Sequence, residues 1–224
     1  MGIINGFILW GYNLSIIRAS AKGSYAFANV SMLFGGIIIP FIYNLAFLHS
    51  KVTVLQVIAI GIMFLAMYFM NADEINFKNA HISYFLYCFL LFMCNGLYGT
   101  MLKIQDVHYG NESTQMVIIT YAIMGIVSVF DLSLKEKKNF FSAFKLNKQC
   151  VFPLIACLVS ASLAINVLVF IIPLIDITVL YTYDNAGVML LSALYSFFIF
   201  KEKPTKFKIL GVAFAAISII AMSI

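Results

Sequence analysis

Eight apolar stretches, most of them long enough to cross a lipid bilayer, constrain what this chain can fold into. They are Ile3–Ile17, Tyr25–Leu48, Val54–Met70, Ile82–Leu102, Met116–Leu132, Val151–Ile172, Ile177–Phe200 and Phe207–Ile224. A helix needs roughly 20 apolar residues to traverse the hydrocarbon, and only the first stretch is clearly short. The connections are brief except Ser133–Gln149, which is rich in Lys and Phe and is expected to lie on the membrane surface. The predicted fold class is all-α: a polytopic transmembrane helical bundle of about eight helices, forming a single membrane domain over residues 1–224.

Composition closes off the soluble alternatives. Hydrophobic residues make up 63% of the chain and charged residues 10%, too few charges to cover a water-soluble globule. The net charge of +5 is scattered between apolar runs, with no contiguous basic arm, so nucleic acid is not expected as a partner and the lipid bilayer is. Cys88, Cys94, Cys150 and Cys157 form no CxxC pair and read as small hydrophobes. His49, His81 and His108 fall at segment ends or in loops without metal-ligand spacing, and there is no Gly-rich phosphate loop. No cofactor, metal site or enzymatic activity is therefore expected. Met1–Ser20 lacks a basic leader and a small-residue cleavage pattern, so it does not read as a signal peptide.

An internal repeat supplies the first pointer to function. Shifting the chain by 152 residues lays Phe47-Leu48-His49-Ser50-Lys51-Val52-Thr53 on Ile199-Phe200-Lys201-Glu202-Lys203-Pro204-Thr205, each an elbow between two long apolar runs. The second stretch then matches the seventh and the third matches the eighth. Five crossings separate the copies, and an odd separation gives them opposite orientation. Inverted-topology repeats are the architecture of many secondary carriers, in which one half rocks against the other about a midplane site. The same parity sorts the charges: 12 of the 14 basic residues, including Arg18, Lys22, Lys78, Lys201, Lys203, Lys206 and Lys208, fall on one side, and only Lys51 and Lys103 on the other. The positive-inside rule makes the rich side cytoplasmic and puts both termini outside.

Three runs, Ser31-Met32-Leu33-Phe34-Gly35-Gly36-Ile37-Ile38-Ile39-Pro40, Phe200-Lys201-Glu202-Lys203-Pro204-Thr205 and Ile209-Leu210-Gly211, resemble the EamA-like transporters of the drug/metabolite transporter superfamily. That resemblance implies a carrier fold of two five-helix repeats. In its terms residues 1–76 are a remnant of the first repeat (helices three to five), residues 77–224 are the second, and the first two helices of ten are absent. Ser50 stands where the second copy has Glu202. The resemblance also implies cytoplasmic termini, opposite to the charge bias. It further implies an integral membrane protein of a bacterial plasma membrane.

Polar groups inside apolar spans are costly in hydrocarbon and usually face the bundle interior or a cavity. Asp184, in Tyr181-Thr182-Tyr183-Asp184-Asn185, is the acidic residue deepest within a span. It reads either as a proton- or cation-binding carboxylate on a solute pathway, with Asn185, Tyr181 and Tyr183 as partners, or as an interfacial carboxylate satisfied locally. Asn29 and Asn166 are further pathway candidates, while Asn13, Asn44 and Asn95 read as interhelical glue. Gly35, Gly36, Gly61, Gly96, Gly99 and Gly211 would let helices approach closely, and Pro40 would kink the second span. The function expected is a secondary transporter moving a small-molecule substrate, with or without a coupling proton or cation, alone or as a homo-oligomer. The alternative is a truncated, non-transporting membrane protein or subunit that needs a partner to complete its bundle.

Overall fold

The computed structural model describes residues 1–48, 52–75, 81–110, 113–135, 148–198, 201, 203 and 205–222. Among these there are eight α-helices and no strand: α1 (Gly2–Lys22), α2 (Tyr25–Tyr43, continued by a π-helical turn Asn44–Leu48), α3 (Val54–Asn71), α4 (Ile82–Tyr109), α5 (Ser113–Lys135), α6 (Lys148–Ile171), α7 (Ile177–Phe198) and α8 (Lys206–Met222). Five of them, over Tyr25–Leu48, Val54–Asn71, Ile82–Tyr109, Ser113–Lys135 and Cys150–Ile171, are long and apolar enough to cross a membrane. The chain is thus an all-helical membrane protein. The elbow residues Ser50, Lys51, Glu202 and Pro204, and Lys78 and most of Ser133–Gln149, lie outside the described residues.

Two helices run more than a full turn past the apolar stretches that predicted them. α1 continues through Arg18-Ala19-Ser20-Ala21-Lys22 because Ala, Arg and Lys are strong helix formers and need no apolar surroundings. α4 continues to Tyr109, its polar last turns supported by the Lys103–Asp106 pair at 3.5 Å.

Helix starts follow local capping chemistry. Thr53 caps α3 in a reciprocal box: its Oγ1 accepts from Gln56 N–H at 3.2 Å, and Gln56 Oε1 accepts from Thr53 N–H at 3.0 Å. Thr205, the repeat equivalent of Thr53, plays the same part for α8 by accepting from Lys208 N–H at 3.2 Å. Pro40 lies within α2 and has no N–H to give to the carbonyl of Gly36. One turn later the helix widens into the π turn, a form concentrated at functional sites.

The helices form two compact units. The first comprises Met1–Trp10 and Met101–Ile175. In it, Gly2 and Gly6 of α1 press against α5, where a Cβ on either would overlap Ile119 or Ile123, and Thr120 Oγ1 donates to Gly2 O at 3.3 Å. This is a small-xxx-small packing face.

The second unit comprises Gly11–Thr100 and Asp176–Ile224. Its main core joins α2, α3, α7 and α8 through Leu33, Ile37, Met63, Met67, Met189 and Ala215. α3 packs along α8, and α7 packs against both α8 and α2. The α3–α8 approach is close because Gly211 meets Met70 and Ala66 O, and Ser218 Oγ donates to Ala59 O at 2.8 Å. A smaller cluster of Ala19, Ala28, Tyr84, Cys88 and Leu91 joins α1, α2 and α4. There Gly35 and Gly96 face one another across α2 and α4, backbone against backbone, leaving no room for a Cβ on either.

Candidate functional site

The polar residues of α7 diverge, since successive residues of a helix turn by 100°. Tyr181 and Asn185, one turn apart, point into the second unit and are 8% and 5% exposed. Tyr183 packs against the core shared with α2, α3 and α8. Asp184 lies on an exposed flank with Val188, Leu191 and Tyr195. Among the described residues its carboxylate makes neither a hydrogen bond nor an ion pair, so the four neighbours do not form one cluster.

Tyr181 and Asn185 meet residues of α2 and α4 instead. The Tyr181 ring fills the space left by Gly99, where any Cβ would collide with its hydroxyl and ring edge. That hydroxyl is buried and has no hydrogen-bond partner among the described residues. Asn185 Nδ2 donates to Tyr181 O at 2.7 Å, and Asn95 Nδ2 donates to Met32 O at 2.9 Å. The missing side chain of Gly36 lets both amides come close to its backbone, since a Cβ there would stand 2.7 Å from Asn95 Nδ2 and 3.4 Å from Asn185 Nδ2. Polar groups this deep cost free energy unless paired. A solute, ion or water able to accept the Tyr181 proton would satisfy the unpaired hydroxyl.

Farther along α7, Val188, Met189, Ser192, Ala193 and Ser196 line a cavity of ≈160 Å³ in the second unit. Its other walls are Asn29, Leu33, Met70, Asn71, Glu74 and Lys208. Glu74 and Lys208 pair at 3.1 Å. Asn29 is thus a cavity residue, in a lining that holds both apolar side chains and the Glu74–Lys208 pair. Asn166 belongs to the first unit, on the exposed side of α6, with its amide donating to Ser162 O at 2.7 Å. It borders a groove of ≈430 Å³ with Tyr121 and Leu158. Among the described residues, nothing but its chain neighbours and own helix backbone lies within 4 Å of where a Cβ on Gly61 would stand, unlike the other glycines singled out above.

Asn44, which reads from the sequence as interhelical glue, bonds to Asp176 at the start of α7, a partner that the residue pattern does not single out. Asn44, 1% exposed at the start of the π turn, donates through Nδ2 to the Asp176 carboxylate at 2.9 and 3.1 Å and approaches Thr178 Oγ1 at 3.1 Å. Asp176 Oδ1 also accepts from Thr178 N–H at 2.8 Å, which makes it the cap of α7. The amide orientation follows from the carboxylate, because the reverse would set oxygen against oxygen. Asp176-Ile177-Thr178 before an apolar run is the helix-start signal that marks this junction.

No protein-family model matches the chain, and no curated protein matches it.

Proposed function

We propose that this chain is a secondary transporter of the EamA-like type, built from about eight transmembrane helices in an inverted repeat and moving a small metabolite or drug-like solute by alternating access. The observation that carries the reading is the polar stripe of α7. It comprises the buried Tyr181 hydroxyl, which has no hydrogen-bond partner among the described residues, then Asn185, and further along the helix Ser192, which lines a cavity together with Asn29. A buried hydroxyl with spare hydrogen-bonding capacity, on a helix that also lines a largely apolar cavity, suits a solute site.

Packing in the second unit supports the repeat. The stretches paired by sequence are those in contact, α2 with α7 and α3 with α8, and the equivalent residues Thr53 and Thr205 cap equivalent helices. Mutual packing of related helices suits a carrier whose halves exchange places about a pseudo-two-fold axis. Asp184, unpaired on its flank of α7, is the group proposed to take the coupling proton or cation. The proposed setting is a bacterial plasma membrane.

The test is reconstitution into liposomes, with uptake and counterflow measured over a panel of labelled small metabolites. Saturable flux of at least one solute above that of empty liposomes supports transport. Flux equal to empty liposomes across the panel favours the non-transporting subunit instead.

A further inference from the structure

Where the last turn of α1 meets the first turns of α4, two cations converge on one tyrosine. Arg18 Nη1 donates to Tyr87 Oη at 3.0 Å, with its guanidinium carbon 5.7 Å from the ring centre. Lys22 Nζ lies 5.1 Å from the same ring centre and donates to Ser83 Oγ at 3.1 Å. Arg18 and Lys22 sit four residues apart on one helix, where like charges oppose each other. A carboxylate would normally lie between them, and among the described residues none does. Asp73 accepts from Thr205, Glu74 pairs with Lys208, Asp106 with Lys103 and Asp131 with Lys135, while Asp176 binds Asn44. Asp184 lies in α7 and is paired with neither cation.

The place is held rigidly. Gly23 lets the α1–α2 turn close onto the Tyr84 ring, which a Cβ would strike, and Tyr84 Oη donates to Ser24 O at 2.7 Å. His81 Nδ1 accepts from Ser83 N–H at 3.3 Å and lies 3.2 Å from Ser83 Oγ. The first turn of the 28-residue α4 carries no acid, so the positive end of its dipole adds to the two side-chain charges. Two cations, a hydroxyl, an imidazole and a helix start therefore lie along one chain of contacts, with no carboxylate among the described residues pairing either cation.

We infer that this junction binds a phosphate-bearing anion, and that its source is the headgroup of an anionic phospholipid. Arg18 and Lys22 bracket the phosphate, and Ser83 and His81 hydrogen-bond its oxygens. The lipid source follows from the surroundings. Leu86 and Leu90, 57% and 38% exposed, lie three and seven residues beyond Ser83 on the same face of α4 and form an apolar bed for an acyl chain. The junction also belongs to the lysine-rich side of the chain, which the charge bias makes cytoplasmic, and basic pockets between transmembrane helices on that side are where anionic headgroups are held.

The test uses the full-length protein in detergent, titrated separately with phosphatidylglycerol, phosphatidylcholine and inorganic phosphate. Retained lipid is counted by native mass spectrometry and melting temperature is recorded. Phosphatidylglycerol is expected to be retained and to raise the melting temperature, with phosphatidylcholine and inorganic phosphate doing neither. Lys22→Gln, at an exposed side chain that leaves the core untouched, is expected to weaken phosphatidylglycerol about fivefold, and Arg18→Gln/Lys22→Gln more than tenfold. Equal retention of the two lipids, or undiminished retention by both variants, overturns the site. A full effect from inorganic phosphate alone overturns the lipid source.

Discussion

The hydroxyl and ring edge of Tyr181 occupy the space that a side chain on Gly99 would need. α4 and α7 approach each other at this point because one residue has no Cβ and the other has a long flat ring. Gly99→Ala should therefore destabilise the protein by about 1–3 kcal/mol through overpacking. In a Tyr181→Phe background, with the hydroxyl gone, the loss should shrink, giving a coupling of about 0.5 kcal/mol or more. Thermal unfolding in detergent of the two single variants and the double variant measures this coupling.

Asn44→Leu should destabilise by about 1–3 kcal/mol, because Asp176 loses the side-chain amide that donates to both its carboxylate oxygens. Thr178→Val, which keeps the backbone N–H bonded to Asp176, should cost less. Equal losses in the melting curves would remove Asn44 from the junction.

At the α3–α8 seam the expected order is steric before polar. Gly211→Leu must displace Met70 and the backbone at Ala66, and should disrupt the pair. Ser218→Ala removes one buried hydrogen bond to Ala59 O and should cost about 0.6 kcal/mol. Helix content and melting temperature of the two variants report the difference.

How much of this was legible in the sequence follows from what each signal depends on. Apolar run length depends on the bilayer alone, so the helical stretches could be read directly. Gly35, Gly96, Gly99 and Gly211 stand at helix contacts, but which helices they bring together depends on tertiary pairing. Gly2 and Gly6 carry the same small-xxx-small signal, at the start of the shortest stretch, and pack against α5. The Tyr181–Asn185 segment was legible as polar, whereas the divergence of Asp184 from it is a matter of the 100° turn per residue. Asn44 was read as glue, and its partner Asp176 was hidden because it lies just before a helix, 132 residues away in the chain.

Asp184→Asn should abolish transport or uncouple it from an ion gradient, since the substitution keeps shape and removes the titratable group. Flux is compared with and without an imposed proton or sodium gradient. Undiminished, gradient-sensitive uptake by this variant would take Asp184 out of the mechanism.

The most direct test of the central claim is solute flux through an Asn185→Leu variant in liposomes, after wild-type flux has identified a transported solute. The variant keeps a similar volume but loses the amide beside Tyr181, Asn95 and Gly36. The polar stripe of α7 predicts flux reduced at least about tenfold, with helix content and melting behaviour close to wild type. Wild-type flux in a folded Asn185→Leu protein would contradict a solute path along α7.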